Sequence, residues 1–198
     1  MKILYIYAHP NSNAFNSLLK QEGYSQLIDL NHEVILSDLY ELNFNAIPNC
    51  NNYKLTTSDE ITKDIQKEIE KINWAEHLIF QFPLWWFSMP AMLKGWFDRV
   101  LIKGFAYDNN SIFQTGLLKG KTASLVVTTK SNESAYRCDG VHGATIESFL
   151  HPIHHTLCFV GISPITPFVS YGVFNIDQRR VNEIISQYQT YLGRLKLR

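Results

Sequence analysis

Cysteine is scarce in this sequence, and its few copies follow no recognisable pattern. The 198 residues contain Cys50, Cys138 and Cys158, an odd number without CxxC spacing. Such usage excludes the disulfide framework of small secreted proteins and favours the reducing cytoplasm as the compartment. Long apolar runs are lacking too. None approaches the ~20 residues of a membrane-spanning helix, so membrane insertion is not expected.

An excess of charge of either sign is also lacking. Eighteen basic residues balance eighteen acidic ones, which gives a formal net charge of zero. A neutral chain has no long-range field to attract nucleic acid or an anionic membrane, so neither is expected as a partner. A small, mostly uncharged substrate fits this composition better.

Several chemical motifs are missing as well. Neither GxGxxG nor GxxxxGK[ST] occurs, so the sequence supports neither a Rossmann-type dinucleotide site nor a P-loop. No Ser-His-Asp or paired-carboxylate signature appears. One cluster, His151, His154, His155 and Cys158, has the helical spacing of a metal site. Such clusters more often line a helix face or an interface, and we predict no metal.

The apolar pattern predicts an α/β fold. Short apolar runs at 3–8, 34–36, 78–82, 123–128 and 165–171 indicate strands. Segments of helical spacing lie between and after these runs, the longest at 59–74, 92–101, 145–159 and 181–195. With 45% hydrophobic residues, the chain is long enough for one domain spanning residues 1–198.

Strands that alternate with helices form a parallel sheet covered on both faces, which makes three layers. Five strands favour the flavodoxin-like order 2-1-3-4-5 over the six-stranded dinucleotide-binding order. The Asn-rich stretch at 44–57 is expected to be a surface loop. Ligands of such sheets bind beyond the carboxyl ends of the strands, so the loops after strands one, three and four are the candidate site.

The first of these loops, AHPNSNAFN, has the features of an anion site. Ser12 and Asn13 are expected to cap the following helix, whose free N–H groups suit a phosphate. His9 is either a further donor to that phosphate or a turn residue held by backbone. Similarly, Ser88 is expected to cap the helix after strand three, with Pro90 in its first turn.

The second loop is rich in aromatic residues. Four of the six residues at 82–87 are aromatic. Aromatic clusters usually fill a core, but at the binding edge of a sheet they gain most from a planar ligand that covers them. In the third loop, Tyr136 and His142 are either surface residues or donors to an oxygen that gains charge when a planar cofactor is reduced.

With these features in place, the sequence resembles the NAD(P)H:quinone oxidoreductase family, the DT-diaphorase-like flavoproteins. The resemblance rests on AHPNSNAFN, on QFPLWWFSMPAMLKGWFDRV followed by GFAY, and on TT…Y…GVHG, in family order and spacing. It implies a flavodoxin-like fold, FAD or alternatively FMN as cofactor, and NAD(P)H as co-substrate. It also implies a quinone-like acceptor, ping-pong hydride transfer and a homodimer, with Trp96, Phe97 and the helix from Thr145 as contact surfaces.

The resemblance also implies site residues. The cofactor's phosphate portion, ring and polar edge are expected to contact His9, Phe15, Asn16, Pro83, Leu84, Trp85, Trp86, Phe87, Thr128, Thr129, Lys130 and Ser131. Tyr136 and His142 match the residues that stabilise charge on the flavin, and Tyr107 matches a tyrosine of the substrate pocket. The chain departs from the family at Lys130 and Ser131, where two glycines are usual, and at Ala14, where serine is usual.

Two alternatives follow from the same resemblance. Ancillary subunits that activate glutathione-gated potassium efflux systems are similar to this family, so a regulatory flavoprotein is the main rival to an enzyme. An electron carrier of flavodoxin type is the second rival. Flavodoxins are usually strongly acidic and have a Thr/Ser/Gly-rich phosphate loop, and this chain has neither feature.

Overall fold

Strands and helices alternate along the chain in the computed structural model, which describes residues 1–48 and 61–195. The strands are β1 (Lys2–Tyr7), β2 (Glu33–Asp38), β3 (His77–Pro83), β4 (Thr122–Thr128), β5 (Ser163–Pro164) and β6 (Phe168–Ser170). The helices are α1 (Phe15–Asp29), α2 (Lys63–Trp74), α3 (Ala91–Val100), α4 (Ile146–Phe159) and α5 (Gln178–Leu192). Cys50 and most of the predicted loop at 44–57 lie outside the described residues.

The strands form one parallel sheet in the order β2-β1-β3-β4-β5, and β6 also pairs with β4. This order confirms the predicted flavodoxin-like fold. The order reverses between β1 and β3, which lie side by side with Tyr7 opposite Gln81. A crevice forms at such a reversal because the connections leave β1 and β3 toward opposite faces of the sheet.

One predicted strand is shorter than expected, and a further short strand precedes it. The run at 165–171 was expected to be the fifth strand, but only Phe168–Ser170 of it forms a strand, β6, and β5 lies just before the run at Ser163–Pro164. The two strands pair separately with the two ends of β4. Ile165 N–H still donates to Ala123 O at 2.8 Å. Pro167, two residues further on, has no N–H to donate, so the ladder is interrupted there. Within residues 1–48 and 61–195 the sheet therefore has six short strands rather than five.

Helices cover both faces of the sheet. Helices α2, α3 and α4 pack on one face through residues such as Ile65, Trp96 and Leu150. Helices α1 and α5 pack on the other face through residues such as Leu19 and Tyr188. Every residue of β3 is buried, as expected for a central parallel strand between two helical layers.

The helix starts differ from the sequence-based expectation. Helix α1 has Ala14 and helix α3 has Pro90 as N-cap, and neither receives a side-chain capping bond, so the predicted caps Ser12, Asn13 and Ser88 are wrong. Asn13 instead donates its own N–H to Asn11 Oδ1 in a turn before the helix. Among the helices of the described segments, none combines the length and apolar character needed to cross a bilayer.

Trp96 and Phe97 lie inside the chain. Trp96 is fully buried and donates its ring N–H to Glu68 Oε2 at 2.9 Å, while Phe97 packs against Phe80. The expectation that these two side chains form a dimer contact is therefore wrong, because they already fill the core beneath α3. Helix α4 does present exposed residues, among them His151 and His155.

Candidate functional site

A cleft of about 680 Å³ opens at the carboxyl ends of β1, β3 and β4. It lies at the reversal of strand order, where ligands of open α/β sheets bind. Its walls come from the loops after β1, β3, β4 and β6. The lining residues are His9, Asn11, Ala14, Phe15, Asn16, Pro83, Leu84, Trp85, Thr128, Thr129, Lys130, Val173, Phe174 and Asn175.

The loop after β3 is a tight aromatic turn. Trp86 and Phe87, between Trp85 and Ser88, have φ of +49° and +63°. Positive φ at both central positions is the pattern of a type I′ turn, which normally takes Asn-Gly. Bulky residues in this region cost roughly 1–3 kcal/mol each and persist only where the surroundings impose them.

The aromatic turn is also exposed to solvent. Trp86 is 94% exposed, Phe87 45% and Trp85 41%, whereas Phe82 at the end of β3 is fully buried. The core-filling interpretation therefore holds for Phe82 but not for the three residues at the tip. The backbone strain of the turn and the exposure of its aromatic rings are both unfavourable in the ligand-free protein. A planar ligand that covers the rings would therefore suit the tip.

Two contacts fix the aromatic turn over the cleft. The Leu84 N–H donates to Thr128 O at 2.8 Å, which joins the turn to the end of β4. The Trp85 ring lies 5.5 Å from the His9 ring, which joins it to the loop after β1. The turn therefore spans the first and third loops of the site.

His9 is held by its own loop and also lines the cleft. The Asn11 N–H lies 3.1 Å from His9 Nδ1, and burial lowers the pKa of the imidazole. A neutral ring that accepts at Nδ1 carries its hydrogen on Nε2, which is then a free donor. Both sequence-based interpretations of His9, turn residue and donor, are compatible with this geometry.

Asn16 lies buried at the floor of the cleft. Its Nδ2 donates to Thr128 Oγ1 at 2.6 Å, and its main-chain oxygen accepts from Gln81 Nε2 at 2.7 Å. Gln81 was not among the predicted site residues. The sequence could have pointed to Gln81, because it is the single amide in the otherwise apolar stretch LIFQFP of a central strand.

The loops after β4 and β6 are joined by their backbones. Thr129 N–H donates to Ser170 O at 2.9 Å, and Val173 N–H donates to Thr129 O at 3.0 Å. Above this junction the Lys130 ammonium lies 4.4 Å from the ring centre of Phe174. Phe174 was not predicted as a site residue, and nothing in the local sequence marks it.

Tyr136 and His142 form an aromatic cluster beside the turn rather than on the cleft wall. Their ring centres are 4.8 Å apart, and His142 Nε2 lies 3.1 Å from Ser131 Oγ. The Phe87 ring lies 5.1 Å from the His142 ring, so the cluster adjoins the tip of the turn. The structure thus brings together the second and third loops as the sequence predicted.

Tyr107 lies elsewhere. It lines a separate hollow of about 380 Å³ with Met89, Phe97 and Ile153, and its ring packs against Phe159 at 5.4 Å. In a single chain the structure does not bring Tyr107 to the cleft at β1 and β3. The sequence placed it near the substrate only through family resemblance.

The histidine cluster of α4 does not form a metal site in the structure. The His151 and His155 rings lie 5.7 Å apart on the helix surface. Within residues 1–48 and 61–195, no three side chains of His, Cys, Asp or Glu come together in a way that could hold a metal ion.

Comparisons with known proteins match nearly the whole chain. Residues 1–192 match a protein family described as having a flavodoxin-like fold. Mouse (Mus musculus) ribosyldihydronicotinamide dehydrogenase [quinone] is 38% identical over 91% of this chain and 86% of its own length. NAD(P)H dehydrogenase [quinone] 1 of Cavia porcellus is 33% identical over 96% of this chain and 76% of its own length.

A solved structure is similar as well. The crystal structure of a candidate quinone reductase from Klebsiella pneumoniae superimposes with a TM-score of 0.91 at 32% identity. The match covers 98% of this chain and 84% of that one. The likeness therefore extends over the strands, the helices and the loops that form the cleft.

Proposed function

Because the chain belongs to the NAD(P)H:quinone oxidoreductase family on the flavodoxin-like fold, we propose that it is a flavin-dependent enzyme that reduces quinones or related acceptors with NAD(P)H. As a member of that family it is an oxidoreductase. FAD is the proposed cofactor and FMN the alternative. When bound, a flavin would supply hydride transfer from NAD(P)H to the acceptor, and the cleft would receive these two ligands in turn.

The observation that carries this proposal is the aromatic turn. Trp86 and Phe87 are held at positive φ at the binding edge of the sheet and remain exposed. A planar ring system stacked on the turn covers apolar surface that the chain itself leaves open. The residues present therefore fit a flavin ring at this position.

The phosphate end of a flavin fits the first loop. The N-terminus of α1 offers unpaired N–H groups, because neither Ser12 nor Asn13 caps it. His9 and Asn16 both line the cleft, and His9 Nε2 carries a hydrogen when Nδ1 accepts from Asn11 N–H. These donors neutralise an anionic phosphate without requiring a positive net charge on the chain.

In this proposal the aromatic cluster of Tyr136 and His142 would stabilise negative charge at the polar edge of a reduced flavin. Tyr136 and His142 are packed together, and the contact between His142 and Ser131 fixes the imidazole. A preorganised phenol and imidazole hold charge without reorganising as it forms. They act by donating hydrogen bonds at the ring edge.

We also propose that the enzyme is a cytoplasmic homodimer. Helix α4 is the remaining candidate surface, since Trp96 and Phe97 are buried within each chain. Sedimentation equilibrium of the purified protein tests this assembly. A monomer at all accessible concentrations would contradict it.

The experiment that tests the proposed function is a visible spectrum of the purified protein, followed by chromatographic identification of the released cofactor. We expect a yellow protein whose flavin is bleached by NAD(P)H and recovered by adding a quinone. Apoprotein is then titrated with FAD and with FMN to decide between them. A colourless protein that binds neither flavin would contradict the proposal.

A further inference from the structure

Gln81 is a fully buried amide in the centre of β3 to which the proposed mechanism gives no role. Its Nε2 donates to the main-chain oxygen of Asn16 at 2.7 Å. A carbonyl oxygen can only accept, so this bond fixes which end of the Gln81 amide faces Asn16. The other end, Oε1, accepts a hydrogen bond from the Tyr5 hydroxyl.

The fixed amide also sets the direction of the bonds behind it. Since Gln81 Oε1 only accepts, the single hydrogen of the Tyr5 hydroxyl is used for this bond. Tyr5 Oη lies 2.8 Å from Tyr188 Oη, so Tyr188 is the donor of that pair. Burial raises the pKa of both hydroxyls above the usual value, which keeps both protonated as donors.

The same reasoning sets the direction of the bonds in front of Gln81. Its Nε2 lies 3.3 Å from Asn16 Oδ1, so Oδ1 accepts and Asn16 Nδ2 is turned toward Thr128. Thr128 Oγ1 accepts that bond at 2.6 Å and keeps its own hydroxyl hydrogen for another acceptor. Asn16 and Thr128 both line the cleft. The hydrogen bonds therefore all point the same way, from the donor Tyr188 on α5 toward a ligand in the cleft.

We propose that Gln81 is a positioning residue for the cofactor, acting through Asn16 to present the Thr128 hydroxyl as a donor to the bound flavin. This inference rests on the proposed function. Tyr188, Tyr5 and Gln81 are fully buried, so no water replaces a partner lost among these three side chains. Removing Gln81 leaves Asn16 free to turn its amide, and Thr128 then donates to Asn16 instead of to the cofactor.

The test measures FMN and FAD affinity by the quenching of flavin fluorescence on binding. The variants are Gln81→Leu, Thr128→Val and the double variant. We expect each single change to weaken binding by roughly 5- to 100-fold, the equivalent of one unsatisfied buried hydrogen bond. The double variant should bind flavin as tightly as whichever single variant has the lower flavin affinity, because both changes remove the same donated hydrogen.

Two further variants keep the test decisive. Tyr5→Phe removes the donor to Gln81 with little change in shape, and it should weaken flavin binding even if Gln81→Leu does not fold. Glu68→Gln is the matched control, because Glu68 is buried in hydrogen bonds on the opposite face of the sheet. It should lower the melting temperature without changing flavin affinity.

The outcomes separate the two proposals. A wild-type protein that binds neither FMN nor FAD overturns the proposed function and this inference together. If wild-type protein binds flavin and Gln81→Leu and Tyr5→Phe bind it equally well, only the positioning role is overturned. Losses that add up in the double variant also overturn it, since they indicate a general effect on packing.

Discussion

Trp85 and Ser88 exchange both of their backbone hydrogen bonds, each 3.0 Å long. This pair closes the turn and keeps the two residues between them at positive φ. The Leu84 N–H bond to Thr128 O holds the same turn at the edge of the sheet. The strained geometry is therefore imposed by the tertiary structure and not by local preference.

Glycine at the tip of the turn should stabilise the protein and weaken its cofactor binding. Trp86→Gly removes the strain of a bulky residue at positive φ and loses little buried surface. We expect the free energy of unfolding of the flavin-free protein to rise by about 1 kcal/mol in urea titrations. Flavin affinity should fall, because the stacking surface is lost.

A matched control for this change is Asn43→Gly, since Asn43 also has positive φ but lies away from the cleft. It should leave flavin affinity unchanged. A Trp86→Gly variant that is no more stable than wild type would show that the turn is not strained. Undiminished flavin binding would show that Trp86 does not stack on the cofactor.

Removal of the two donors beside the turn should slow flavin reduction. Tyr136→Phe combined with His142→Gln leaves the developing charge without hydrogen-bond donors. We expect single-turnover reduction by NAD(P)H to slow by roughly 10- to 1000-fold in stopped-flow measurements. His151→Gln, an exposed histidine of α4, is the control. An unchanged reduction rate in the double variant would rule out the charge-stabilising role.

Lys130 should raise the reduction potential of a bound flavin. Its ammonium stands at the rim of the cleft over Phe174, where it favours the more negative, reduced state. Lys130→Gly should lower the potential by on the order of 10 mV at low salt, as expected for a solvent-accessible charge. Phe174→Leu keeps the charge and should preserve the potential. Equal potentials in Lys130→Gly and wild type would refute this role.

Steady-state kinetics should follow a ping-pong pattern. In the proposed function one cleft serves NAD(P)H and the acceptor in turn, so the first product would leave before the second substrate enters. Double-reciprocal plots at several quinone concentrations should give parallel lines. Lines that intersect would indicate a ternary complex and contradict the use of one site by both ligands.

Stability should fall on acidification because of one buried histidine. His77 bonds the Thr122 and Ser124 hydroxyls, and burial lowers its pKa to about 4. The unfolded chain binds the proton near the ordinary pKa of 6.5, so it holds more protons than the folded chain between these values. The stability that neutral His77 contributes is fully present above pH 6.5 and declines as the pH falls toward about 4.

The expected decline over this interval is about 3 kcal/mol, from the difference between the two pKa values. His77→Gln retains a hydrogen-bonding amide but does not titrate. Its free energy of unfolding, measured in urea from pH 7 to pH 4, should therefore depend less on pH than that of the wild type. Parallel curves for the two proteins would disprove the assignment to His77.

The strand order and the three loops of the site could be predicted from the sequence because periodicity and strand ends are local properties. The turn conformation could not. The letters WWFS contain neither Gly nor Asn, so nothing local favours positive φ at Trp86 and Phe87. The bond from Leu84 N–H to Thr128 O, which holds the turn at the sheet edge, joins segments that are distant in sequence.

Other features escaped prediction for related reasons. Tyr107 was expected near the substrate only from family resemblance, and in the single chain it lines a hollow between α3 and α4 instead of the cleft. Phe174 reaches the cleft only because the backbones of the loops after β4 and β6 are hydrogen-bonded. Both placements depend on long-range geometry that residue spacing does not encode.

The interrupted strand beyond β4 has a consequence for behaviour at high concentration. A sheet ending in a continuous strand of seven residues would present an unbroken row of N–H and C=O groups to other chains. Here β5 has two residues and β6 three, and Pro164 and Pro167 lack N–H groups. Short edges with proline offer a poor template for pairing between molecules, so this side of the sheet is protected against aggregation.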